Sequence, residues 1–182
     1  MKKCSIICLL LLTALLQFCK KSGDSTDSTT TAVLFQAYVN SSVWTPTSTK
    51  VTLTYNATAK TKTFSFEADS TKDQILMTIK QPASALDSTF TAQNYIADTT
   101  ATSNVTLAYN KLVNNVYTPV GTLKAGSINI SSIDVSKKLV TGTFVFNETK
   151  YNYDSNGNIV SLTSTVISSG EFNNLPYTFK RQ

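Results

Sequence analysis

LVTGTFVFNETKYNYDSNGNIVSLTSTVISSGEF, residues 139–172, decides how the chain is read. Within Leu139–Asn147 the residues Val140, Gly142, Phe144 and Phe146 take alternate positions. A strand sends successive side chains to opposite faces, so these four share one face. Asn156-Gly157 follows, and a second run opens at Ile159. Asn-Gly between alternating segments marks a hairpin, because both central residues of a type I′ turn need positive φ. The expectation is one long hairpin that pairs Phe144–Tyr153 with Ile159–Ile167, its second strand continuing towards Phe172.

The same period recurs upstream. Val51, Leu53 and Tyr55 alternate in Lys50–Tyr55, and Phe64, Phe66 and Ala68 in Lys62–Ala68. Ile75, Met77 and Ile79 share a face of Asp73–Lys80, Val105, Leu107 and Tyr109 one of Asn104–Tyr109, and Ile128 and Ile130 one of Ser127–Ile133. Breaks between them carry turn residues, as at Asn40-Ser41-Ser42, Asn56-Ala57, Gln81-Pro82 and Val120-Gly121. Only Pro82–Ser88 would admit a short helical turn. About ten short-linked strands predict an all-β domain, an antiparallel β-sandwich or, as the alternative, a closed up-and-down β-barrel. Abundant Thr, Ser, Val, Ile, Phe and Tyr agree with strands.

The N-terminus has a different logic. Met1-Lys2-Lys3 is a short positive start, and Ile6–Leu16 is apolar apart from Cys8 and Thr13. That run falls short of the ~20 apolar residues a bilayer-spanning helix needs, and it has the layout of a secretory signal. No small-residue cleavage site precedes Cys19. Instead Leu16-Gln17-Phe18-Cys19 resembles a lipobox, whose cysteine receives a diacylglyceryl thioether. Phe18 departs from the usual Gly, Ala or Ser. Residues 1–18 are thus expected to be a lipoprotein signal peptide. Residues 19–31 would be a lipidated, palmitate-bearing Cys19 with a flexible Ser/Thr/Asp linker, and residues 32–182 the β-sandwich domain. Two acyl chains suffice for stable anchoring without a spanning helix. The expected location is the cell envelope, at the outer membrane, with the membrane reached through the lipid on Cys19.

Composition removes several function classes. Without Lys2 and Lys3 the 16 basic residues become 14, against 11 acidic ones. The charges are scattered, which leaves no electrostatic footprint for nucleic acid. All three cysteines lie at or before Cys19, and the chain has no histidine. Thiol catalysis, His-dependent triads and Cys- or His-ligated metal sites drop out of the mature domain. No cofactor is expected, and the chain is expected to be a monomer.

The remaining candidates are few. Glu67, Asp69, Asp73, Asp87, Asp98, Asp134, Glu148, Asp154 and Glu171 could pair for glycoside hydrolysis, yet most are read as occupants of turns or polar strand positions. Asp154-Ser155-Asn156-Gly157-Asn158 clusters oxygens but lacks the twelve-residue loop and closing Glu of an EF-hand. With Tyr151-Asn152-Tyr153 it also resembles one unit of a YD repeat, and it is read as a hairpin tip. Trp44 is expected to cap the core near the first turn, its N–H satisfied locally. Five Asp-Ser/Thr-Thr triplets are similar to the O-glycosylation motif of exported Bacteroidota proteins. They make Ser25, Ser28, Ser70, Ser88 and Thr99 candidate glycosylation sites, which would require exposed loops.

Four segments in order resemble a family of small Bacteroidota lipoproteins of unknown function. They are the entry strand Phe35–Trp44, Ala125–Ile130, Val140–Phe146 and Gly170–Tyr177. This chain has Asn40-Ser41-Ser42 where such proteins usually carry Asn-Gly before the Trp. The resemblance implies a surface or periplasmic lipoprotein and brings no catalytic residues. The resulting expectation is a lipid-anchored, non-enzymatic binding or interaction domain. Its alternatives are a barrel-type carrier of a small lipid or sugar, and a hydrolase with strand-borne carboxylates.

Overall fold

A computed structural model describes residues 34–83, 86–99 and 103–182. The candidate glycosylation sites Ser25 and Ser28 and the expected lipidation site Cys19 lie outside them. The described residues form twelve strands: β1 (Phe35–Val39), β2 (Ser42–Trp44), β3 (Ser48–Asn56), β4 (Thr61–Asp69), β5 (Asp73–Pro82), β6 (Asn94–Ala97), β7 (Val105–Val113), β8 (Val116–Pro119), β9 (Thr122–Asp134), β10 (Leu139–Tyr153), β11 (Ile159–Pro176) and β12 (Thr178–Arg181). The first sheet has the order β2-β1-β11-β10-β9-β6 and the second β12-β3-β4-β5-β7-β8. Every pairing is antiparallel except β12 with β3. Each sheet keeps two edge strands, so this is an all-β sandwich and the closed-barrel alternative is excluded.

The alternation read from sequence explains the core. Phe64, Phe66, Ile75, Met77, Ile79 and Leu53 of the second sheet are fully buried, facing Phe144, Phe172, Ile128, Ile130 and Ile167 of the first. Aromatic rings join the layers: Phe66 meets Phe172 at 5.0 Å between centroids, and Phe64 meets Tyr177 edge-on at 5.3 Å. Such pairs add roughly 0.5–1.5 kcal/mol beyond the area they bury. Gly170 lets the Phe144 ring lie on its backbone, since a Cβ there would sit 2.5 Å from the ring.

The β10–β11 hairpin pairs the expected segments, with Phe146 opposite Ile167 and Tyr153 opposite Ile159, while a bulge sets Phe144 opposite Gly170, beyond the expected segment. Its tip differs from the predicted two-residue turn. Asp154 Oδ1 accepts the N–H groups of both Asn156 (2.9 Å) and Asn158 (2.8 Å), and only Gly157 has positive φ. The carboxylate wraps the chain into a longer Asx-type loop. Asn40-Ser41 and Asn114-Asn115 instead have positive φ at both residues, as a type I′ turn requires. Pro82 ends β5, Asp87 and Ser88 are bends, and no helical turn occurs among the described residues of Pro82–Ser88.

Trp44 is buried, edge-on to Phe35 at 6.1 Å. Its indole N–H has no partner among the described residues, contrary to the expected local satisfaction.

Candidate functional site

The interior changes character along β10. Val140, Phe144 and Phe146 face the core, and the next residue in that series is Glu148, only 2% exposed. Lys150 and Asn152 follow on the same face. Across the sandwich, the chain leaves the second sheet after β8 and enters the first at β9. Gly121, at the crossing, lies against the Thr149 backbone, where a Cβ would come within 2.9 Å. A regular antiparallel pair exchanges two hydrogen bonds. Here the Val120 N–H donates to the Tyr109 carbonyl (3.1 Å), while the Tyr109 N–H donates across the layers to Glu148 Oε1 (3.0 Å). Glu148 thus caps β7 on the side where its pairing with β8 ends, while β5 still pairs with it on the other side.

Beyond this point the sheets enclose a cleft of about 500 Å³, within the roughly 300–1,000 Å³ usual for ligand sites. β7 and β8 contribute Lys111, Val113, Thr118 and Pro119, with Tyr109 deeper and Val120 just beyond β8. The hairpin supplies Lys150, Asn152, Thr163 and Thr165, and β1 with its turn supplies Val39 and Asn40. Phenylalanine and isoleucine have given way to hydroxyls, amides and two ammonium groups.

Burial dominates the electrostatics of the floor. It pushes the Glu148 carboxyl up to about 7, opposed by the hydrogen bond from the Tyr109 N–H. Glu148 Oε2 has no partner among the described residues. Burial likewise raises the Tyr109 phenol, and the neighbouring Asp73 adds to the effect.

The remaining candidate acids largely serve the scaffold. Glu67 pairs with Lys50 at 2.9 Å, Asp69 accepts from Gln74 at 2.8 Å, and Asp134 accepts from the Lys137 N–H at 2.8 Å. Asp87 pairs with Lys62, Glu171 accepts from Gln36, and Asp154 builds its loop. Asp98 is exposed at the end of β6. Among the described residues no group of three acidic side chains is placed to hold a metal ion. Glu148 is the acid whose place the sequence reading missed. Its even spacing from Phe144 and Phe146 marks an inward position, not a polar one.

The glycosylation candidates separate by exposure. Thr99 is exposed, whereas Ser70 and Ser88 are half-buried. Ser70 Oγ also accepts from the Asp73 N–H at 3.0 Å, so its triplet shapes the β4–β5 turn.

The outer face of the first sheet carries a second, shallower depression, lined in part by Ile96, Ser127, Val145 and Val166. Tyr38 and Val43 extend this weakly charged face on neighbouring strands, and all but Ser127 of these residues are well exposed. Comparison with protein-family models, with curated proteins and with solved structures gives no match. The functional reading therefore rests on this chain's own residues.

Proposed function

We propose that this is a lipid-anchored cell-envelope protein whose β-sandwich binds a polar ligand without transforming it, in the cleft between β7–β8 and β10–β11. The observation that carries the reading is the change of lining along β10, from Phe146 through Glu148 to Lys150 and Asn152. A core that only needed closing would end in apolar side chains or a capping loop. Here hydrogen-bonding side chains from both sheets meet around an open volume, and such convergent polar groups mark ligand sites.

The binding claim is tested with the full chain on a glycan array, beside Thr163→Trp, which fills the cleft from the β11 side. Signals that vanish in the variant support the cleft. Signals that persist unchanged, or a blank array for both proteins, overturn it. The anchor is tested separately. Cys19→Ala should leave the domain folded and move the protein from membrane to soluble fractions. Retention in carbonate-washed membranes would show that Cys19 carries no anchoring lipid.

A further inference from the structure

We infer that the ligand of the cleft is an acidic oligosaccharide, held by Lys111 and Lys150 from opposite sheets. The inference rests on the cleft being the binding site and adds its chemical class.

Charge comes first. Lys111 stands on β7 and Lys150 on β10, and both line the same cleft. Lys50, Lys62 and Lys137 are each within 4.0 Å of a carboxylate. The cleft lysines, like most other cations among the described residues, have no such partner. What sets these two apart is that they line one volume from opposite sheets. None of the residues lining the cleft is acidic. Two acids stand close by. Asp73 is opposite Lys111 in the β5–β7 register and near the Tyr109 phenol, whose proton it helps to hold, and it is not among the residues that line the cleft. Glu148 lies one inward position deeper than Lys150, with burial favouring its neutral form. Two lysines from opposite sheets line one volume whose lining includes no acidic residue, and that arrangement favours an anion between them.

The rest of the lining narrows the class. Thr118, Thr163 and Thr165 line the cleft, and their hydroxyls have no hydrogen-bond partner among the described residues. Asn152 donates its amide N–H to Ser161 at 3.0 Å, which leaves its carbonyl oxygen to accept. Hydroxyls that can both donate and accept suit a ligand that is itself rich in hydroxyls. Short apolar patches from Val113 and Pro119 fit the C–H faces of a pyranose. A fatty chain would meet too many unpaired hydroxyls here, since burying a polar group without a partner is unfavourable.

Three tetramers are titrated calorimetrically against the full chain in detergent: tetragalacturonate, neutral cellotetraose and tetraglutamate. Tetragalacturonate should bind, and more weakly as salt rises. Lys111→Ala and Lys150→Ala should each weaken it roughly ten- to a hundredfold, the range for a charge-assisted contact. Lys150→Arg should keep most of the affinity, and near-ultraviolet circular dichroism reports whether each variant stays folded. Binding of cellotetraose equal to that of the uronate, unchanged in the lysine variants, overturns the acidic class while leaving the cleft reading intact. Tetraglutamate binding as tightly as the uronate overturns the saccharide class. If no tetramer binds, the inference fails, and the array with Thr163→Trp then decides whether the cleft reading fails with it.

Discussion

Among its described residues the sandwich buries one cation and one acid on its inward faces, and it treats them differently. Lys62 is 4% exposed, near the end of β4 that pairs with Gln81. Its ammonium donates to Asp87 and to the Thr89 carbonyl (3.0 Å), with the Thr89 hydroxyl also in reach. Phe90 and Tyr95 pack nearby, their rings 5.8 Å apart, and the Tyr95 hydroxyl donates to the Thr91 carbonyl at 2.6 Å. That end is closed by the connection between β5 and β6. Glu148, at the end where the chain changes sheets, makes one hydrogen bond and leaves one oxygen unmatched. A buried charge is tolerated when its hydrogen-bonding capacity is filled, and is costly otherwise. The difference separates an end whose buried charge is satisfied from one whose buried carboxyl is not.

Removing the satisfied charge should have the largest effect. Lys62→Ala deletes a buried stem and three hydrogen bonds, and is expected to destabilise by about 2–4 kcal/mol in urea unfolding. Lys62→Met refills the volume and frees Asp87, which is largely in solvent, so it should retain most of the stability. An alanine variant within about 0.5 kcal/mol of the parent, the range of an ordinary surface change, would show that this end is not held by Lys62.

The unsatisfied acid gives a pH signature. The Glu148 carboxyl rises from 4.5 to about 7 on folding, so the folded state holds its proton more tightly than the unfolded chain. That contribution is complete below pH 4.5 and is lost as pH rises through about 7, on the order of 3 kcal/mol at most. Glu148→Gln keeps an oxygen for the Tyr109 N–H and cannot ionise. It should match the parent at pH 5, exceed it at pH 8 and flatten the slope between. Glu148→Ala orphans the Tyr109 N–H and should be less stable at pH 5 by roughly 1–3 kcal/mol. A parent whose urea midpoint does not fall between pH 5 and pH 8 would mean that Glu148 ionises without penalty.

Both buried charges were within reach of the period-two reading. Lys62 precedes Phe64, Phe66 and Ala68 at the same spacing by which Glu148 follows Phe144 and Phe146. The run of apolar residues stops at the first charged one, although the strand and its alternation do not stop there. What alternation could not carry is β11. Its inward residues Ile167, Gly170, Phe172 and Leu175 are spaced by three, two and three, because Ser169 and Asn174 adopt positive φ at bulges. Each extra residue resets which parity faces the core. The cleft was equally hidden, since it depends on the crossing at Val120-Gly121, where the second sheet hands the chain to the first. No local pattern reports such an encounter. The all-β class, the hairpin and most of the core are legible because alternation repeats, whereas the choice of sandwich over barrel depends on the open sheet edges, which no alternation reports.

The smallest expected effect tests the satisfied end from its other partner. Lys62 holds the Asp87 carboxyl down to about 2, helped by the Thr89 hydroxyl and N–H. A carboxylate lowered on folding stabilises above its unfolded value of 3.8, and that contribution is lost as pH falls towards 2. Asp87→Asn should therefore melt slightly below the parent at pH 5, and the gap should close between pH 4 and pH 2. The effect is limited by solvent on the exposed carboxylate, which screens it as it would any surface pair. A gap that stays constant down to pH 2 would mean that Asp87 acts by shaping its loop through Thr89. Lys62 would then owe its burial to the Thr89 carbonyl alone, and the contrast with Glu148 would come down to a single backbone oxygen.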